Sequence, residues 1–238
     1  MPRRLAPPVA HGPCCDFQAL RTHEACWSSV DEKNRIDEPV VKTSVPTTMR
    51  QLREATRVVH KRVESALPLL DPNLTRERYT RVVEALHGFY AEIEPVIAHA
   101  LAGDCDPNRS QSRAKLPLLE TDLRALGRTP THIARLPRCA TLPYAGTASH
   151  ALGVLYVLEG ATLGGQIIAK HLSQRLAIEA GTGGAFFHGY GDATRAMWTV
   201  FCERVDRVDS IDTRNAISAA VATFETLTQW LDATLAGP

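Results

Sequence analysis

Four residues near position 60 have types and spacing suited to chemistry. Arg53, Arg57, His60 and Glu64 recur at i, i+4, i+7 and i+11, which places them along one face of a helix. An imidazole one turn before a carboxylate can ligate a metal through one ring nitrogen while the carboxylate orients the other. The two guanidinium groups can hold anionic groups on the same ligand. A solvated polar face is the other account of this stripe, and spacing alone favours it.

A second stretch, GVLYVLEGATLGGQIIAKHL from Gly153 to Leu172, keeps a helical rhythm despite Gly153, Gly160, Gly164 and Gly165. Each glycine inside a helix costs about 0.5–1 kcal/mol relative to alanine. Gly153, Gly160 and Gly164 share one face, so a large flat molecule could lie directly on the backbone there. Close packing of another helix uses the same smoothness, and the stretch alone does not choose between them.

The elements that must position these residues read as helices. Thr48 and Gln51 fit a capping box that opens a helix, with Leu52, Ala55, Val59, Val63 and Ala66 on its buried side. A long amphipathic helix is expected over 75–102, striped by Tyr79, Val82, Val83, Leu86, Phe89, Tyr90, Ile93 and Ile97. His87 and Glu94 on it are expected at the surface or in packing. A polar loop over 104–114 precedes a shorter helix over 116–126, ended by Gly127; Pro130, Pro137 and Pro143 punctuate the next connection. The glycine-bearing helix is expected from about 146 to 180, and two more over 190–208 and 213–235. No alternating strand pattern occurs, so the fold class expected is all-α, a single helical domain over 49–238.

Composition bounds the rest. The 238 residues are 44% hydrophobic, enough for a packed core. A formal net charge of +1 argues against a broad basic nucleic-acid face. No apolar run is expected to span a bilayer, no apolar signal segment opens the chain, and the cysteines form no C-x-x-C pair. These features point to a reduced, cytoplasmic protein without membrane or nucleic-acid partners. Residues 1–48 hold six of the 15 prolines and no sustained periodicity, so they read as a disordered extension, with Met49 a candidate start. His11, Cys14, Cys15, His23 and Cys26 lie there without the spacing of a zinc finger.

Two segments resemble one family. LREATRVVH followed by Glu64 resembles the proximal-helix signature of heme oxygenases, and YVLEGATLGGQ resembles their kinked distal helix, most of all in the bacterial, bacteriophytochrome-associated branch. The AFFHGY segment at 185–190 falls where that family carries an AFF-like turn. The resemblance spans residues 49–235. It implies His60 as axial iron ligand, Glu64 on its other nitrogen, and Gly160 and Gly164 as the catalytic-face contacts on the oxygen side of the heme. It also implies Arg53 and Arg57 near the propionates, with Thr56 and Phe224 against the porphyrin.

The activity so implied opens heme, both cofactor and substrate, to biliverdin, carbon monoxide and ferrous iron. It consumes O2 and takes electrons from an external ferredoxin or reductase, since no dinucleotide fingerprint is present. A bacteriophytochrome could receive the biliverdin, or the reaction could serve iron acquisition. The sequence departs from the animal-type pattern at Ala161, where those enzymes carry a distal aspartate. Glu159 lies about 100° round the helix from Gly160 and is not its equivalent. Thr199 and Glu203 stand at two positions that are basic in the animal enzymes. A heme carrier or sensor built on the same pocket is one alternative. A diiron protein of the same fold, using the E-x-x-H pair Glu84 and His87, is another.

Overall fold

Helices built on the expected apolar stripes make up the protein. The computed structural model describes residues 47–102, 113–207 and 210–236, and among them no strand occurs. The expectations for residues 1–46, namely disorder, zinc ligation and a later start, lie outside the described residues.

The order is α1 (Thr48–Ala66), α2 (Arg76–Ala100), α3 (Leu116–Ala125), α4 (Pro130–Ala134), α5 (Ala148–Leu176), α6 (Ala185–His188), α7 (Thr194–Val205) and α8 (Ser210–Leu235). Single 3-10 turns at Ala180–Thr182 and Gly191–Ala193 flank α6. The short α4 arises where prolines alone had been expected to break the chain. Pro130 occupies the first helical position, and Thr129 caps the free amide of His132.

The start of α1 corrects the expected capping box. Thr47, not Thr48, is the N-cap, its hydroxyl accepting from the Arg50 amide at 3.3 Å. Thr48 is buried and hydrogen-bonds Thr213 of α8 at 2.9 Å. Ala55 is also corrected: it is exposed, and Thr56 takes the buried position beside Leu52, Val59 and Val63. On α2 all eight residues of the expected stripe are buried. His87 and Glu94 prove to be packing residues: His87 is buried, and Glu94 accepts from the Lys115 and Leu116 amides at the start of α3.

Helix α5 forms the centre. Residues 151–160 are buried without interruption, so its upper half has no solvent side. By length and composition it could cross a membrane, with a mean hydropathy of 1.4, contrary to the expectation that no such run exists. Two-thirds of that window lies inside the bundle (67%), which marks it as the core helix. Its end is Leu176, with Ala177 at φ 51° closing it in the left-handed region.

The last helix, α8, packs along both α1 and α5. Thr48 meets Thr213 and, twelve residues on, His60 meets Phe224, so α1 and α8 run in parallel and in register. Thr56 and Tyr156 join α1 to α5 at 3.4 Å, and Gly153 abuts Ala216 of α8. This register puts His60 beside Phe224, one helical turn beyond Thr56.

Asp122 of α3 secures the AFF segment. It is fully buried, and its two oxygens accept from the Ala185 and Phe186 amides at 2.7 and 2.8 Å. Burial raises its pKa to about 6 despite those bonds. The unfolded carboxyl titrates near 3.8, so the folded state binds the proton more tightly and this group's contribution to stability falls between pH 4 and 6. Asp122→Asn should abolish that slope while costing about 1–3 kcal/mol, because one backbone amide loses its acceptor. Urea denaturation at pH 4.5 and 7 measures both effects; an unchanged slope would remove the assignment.

Candidate functional site

His60 sits two-thirds along α1 with its side chain 24% exposed. Its Nδ1 lies 3.6 Å from Glu64 Oε1, the separation that i, i+4 neighbours on a helix allow. The edge of its ring meets Phe224 with centroids 5.4 Å apart and planes at 83°. Burial lowers the His60 pKa, and the Glu64 charge partly opposes this. Burial therefore favours a neutral imidazole, the form that ligates a metal.

Thr56, one turn earlier, donates to Leu52 O at 2.7 Å and touches the Tyr156 hydroxyl. Arg53 is half-buried and acts on that hydroxyl through its charge. Arg57 is mostly in solvent, 3.9 Å from Glu54, and lies outside this cluster. The structure thus brings Arg53, Thr56, His60, Glu64 and Phe224 together and leaves Arg57 at the rim.

The glycine stripe divides in two. A Cβ at Gly153 would come within 2.0 Å of Ala216 O, so this glycine serves helix packing against α8. A Cβ at Gly165 would lie 2.7 Å from Phe187 O, so this one receives the AFF segment. At Gly164 an added Cβ meets nothing within 4 Å. Gly160 is buried. Packing and open backbone therefore both occur on one helix, at different heights. An imidazole backed by a carboxylate and edged by an aromatic ring has the donor chemistry to ligate a metal such as a porphyrin iron.

Two surface concavities, of about 130 and 360 Å³, flank Leu136 and Pro137. Neither is lined by any of these residues, and donor chemistry, not concavity, identifies the site. The pair Glu84 and His87 does not gather a metal set: Glu84 is engaged by Arg128 at 2.6 Å and His132 at 2.9 Å. Among the described residues no group of three or more His, Cys, Asp or Glu side chains converges.

Two groups were missed from sequence. Tyr156 carried an apolar label on a buried helix, although its hydroxyl reaches Thr56. Glu159 had a visible signal, as the charged residue in the otherwise apolar run ALGVLYVLEG. It is 1% exposed and accepts from Arg113, Lys115 and Tyr190, residues remote in sequence.

The described residues form an all-α domain in which an imidazole on α1, backed by Glu64, meets Phe224 of α8, while a long glycine-bearing helix runs through the centre. The family model for heme oxygenase matches residues 47–233, and the chain belongs to the heme oxygenase family. No curated protein matches by sequence. Among solved structures, the NO- and CO-bound heme oxygenase from Neisseria meningitidis is similar at 21% identity and a TM-score of 0.65, covering 82% of this chain and 94% of that one. The heme oxygenase from Leptospira interrogans gives 17% identity and a TM-score of 0.62 over 79% and 100%. Heme oxygenase-1 from the cyanobacterium Synechocystis, in complex with heme, gives 16% and 0.58 over 79% and 92%. These likenesses establish the fold.

Proposed function

We propose that the protein opens heme to biliverdin, carbon monoxide and ferrous iron, using O2 and electrons from a separate ferredoxin or reductase. The observation that carries this reading is the heme oxygenase family match over residues 47–233, supported by His60 backed by Glu64 and edged by Phe224. Bound heme supplies both the iron that activates oxygen and the carbon skeleton that is cut.

The chain's own residues do the positioning. His60 holds the iron from the α1 side as a neutral imidazole, and Glu64 fixes which ring nitrogen faces it. Gly164, where an added Cβ meets nothing within 4 Å, would leave room for a small ligand beside the backbone, and a bend of the helix at Gly160 and Gly164 would close that side further. Phe224 would pack against the porphyrin edge, with Thr56 bonded to Tyr156 one turn from His60, and Arg53 and the solvent-exposed Arg57 would meet the propionates. The two-thirds burial of the apolar window in α5 marks a core helix, and a cytoplasmic enzyme is the proposed setting. Biliverdin supply to a bacteriophytochrome is the proposed use.

The test is to mix the protein with one equivalent of hemin, add a reducing system in air and follow the visible spectrum. Loss of the Soret band with growth of a biliverdin spectrum is expected. A Soret band that persists under reduction would identify a heme carrier or sensor instead, a reading that Ala161, in place of a distal acid, keeps specific. Glu64→Ala should weaken hemin binding roughly 10–100-fold, the usual effect of losing a partner behind a ligating imidazole. A hemin titration with unchanged affinity would remove that role.

A further inference from the structure

A polar cluster buried behind α5 takes no part in the site above. Glu159, Arg113 and Lys115 have side chains only 1–2% exposed. Arg113 Nη1 donates to Glu159 Oε2 at 2.5 Å, and Lys115 Nζ donates to Oε1 at 3.0 Å. The Tyr190 hydroxyl donates to the same carboxylate at 2.8 Å and accepts from Lys115 Nζ at 2.6 Å. Arg113 also reaches Met197 O, and Lys115 reaches Arg113 O. The carboxylate thus gathers donors from the segment before α3 and from the turn after α6.

Stability does not explain such a cluster. Desolvating these charges is costly, and well-packed apolar residues of similar volume are often at least as stable. What a saturated, multi-armed carboxylate supplies is a unique position. Glu159 precedes Gly160, and its side chain leaves the helix about 100° round from the Gly160 position. A grip there holds the helix without covering its glycine face. The same stretch is held one to two turns on, where Gln166 donates to His188 O and Thr194 Oγ1 and Gly165 abuts Phe187 O.

We infer that Glu159 is a positioning residue: the clamp of Arg113, Lys115 and Tyr190 on its carboxylate sets the height and rotation of α5 at Gly160–Gly164, and hence the backbone face that heme meets. This rests on the heme reading above. Loosening the clamp lets the glycine segment shift over the porphyrin, so more than one edge carbon becomes accessible to cleavage while His60 still holds the iron.

The experiment compares the full chain with its Glu159→Gln and Tyr190→Phe variants. Tyr190→Phe removes one arm without leaving a buried charge unmatched, and it decides the matter should Glu159→Gln not fold. Backbone amide exchange of residues 160–166, with and without hemin, should rise roughly tenfold, the loss of one charge-assisted hydrogen bond. Exchange of 52–63 and 216–227 should stay within about twofold, since the clamp's hydrogen bonds run among residues 113, 115, 159, 190 and 197. Hemin affinity should hold while the biliverdin isomer ratio broadens. Exchange that rises uniformly, or not at all in 160–166, would overturn the inference, as would an unaltered isomer ratio. If the unsubstituted protein fails to bind hemin, the functional reading falls, and exchange in the hemin-free chain alone decides whether the clamp positions α5.

Discussion

His60→Ala is expected to abolish hemin turnover, lowering it by at least about 100-fold, while the fold survives. In the proposed reading the imidazole beside Phe224 is the iron ligand, and its burial favours the neutral, ligating form. Removing it leaves Glu64 without its partner, but Glu64 is 46% exposed on its side chain and water takes over that contact. The stability cost should therefore stay near that of a half-buried surface position, about 1 kcal/mol. Hemin binding and turnover are read by absorbance, and folding by thermal denaturation of the hemin-free protein. A normal ferric spectrum in the variant would assign the iron to another ligand. Added imidazole should restore part of the spectrum, which a collapsed fold could not do.

The second large effect comes from one chemical change made at two glycines of the same helix face. Gly153→Ala must push a methyl to 2.0 Å from Ala216 O, a backbone atom that cannot step aside. Overpacking of this kind costs about 1–3 kcal/mol and sometimes more, and here it forces apart the two longest helices of the domain. Gly164→Ala meets no atom within 4 Å. It should stabilise the hemin-free protein by about 0.5–1 kcal/mol, the helix propensity regained. Its activity should fall nonetheless, because the added methyl occupies the side that the ligand needs. A larger side chain at 164 should reduce turnover further than hemin uptake. Denaturation midpoints and single-turnover rates of both variants separate the two roles. Equal losses at both positions would remove the division of the stripe into a packing end and a ligand end.

Much of the architecture was legible because it rests on contacts within about four residues along the chain. The eight-residue stripe of α2, the limits of α3 and the i, i+4 pair of His60 and Glu64 follow from a 3.6-residue period that the chain carries locally. The start of α1 shows how far such logic reaches. Adjacent threonines both satisfy a capping pattern, and Thr213 of α8, far away in sequence, binds Thr48 and leaves the cap to Thr47. The helical limits of α5 moved by a few residues for a related reason, since Ala177 turns left-handed instead of continuing the helix.

By itself, the sequence determined an all-α chain, an imidazole with a carboxylate one turn on, and a helix in which glycine is used against its own propensity. Tertiary structure alone decided which glycine faces a neighbour and which stays open, since Gly153 and Gly164 are identical in type and in face. It alone revealed that Glu159, a lone charge in an apolar run, is matched by Arg113, Lys115 and Tyr190. The physical reason is the same in both cases. Helical period and capping are set by neighbours along the chain, whereas the partner that reaches a buried position comes from a segment tens of residues away.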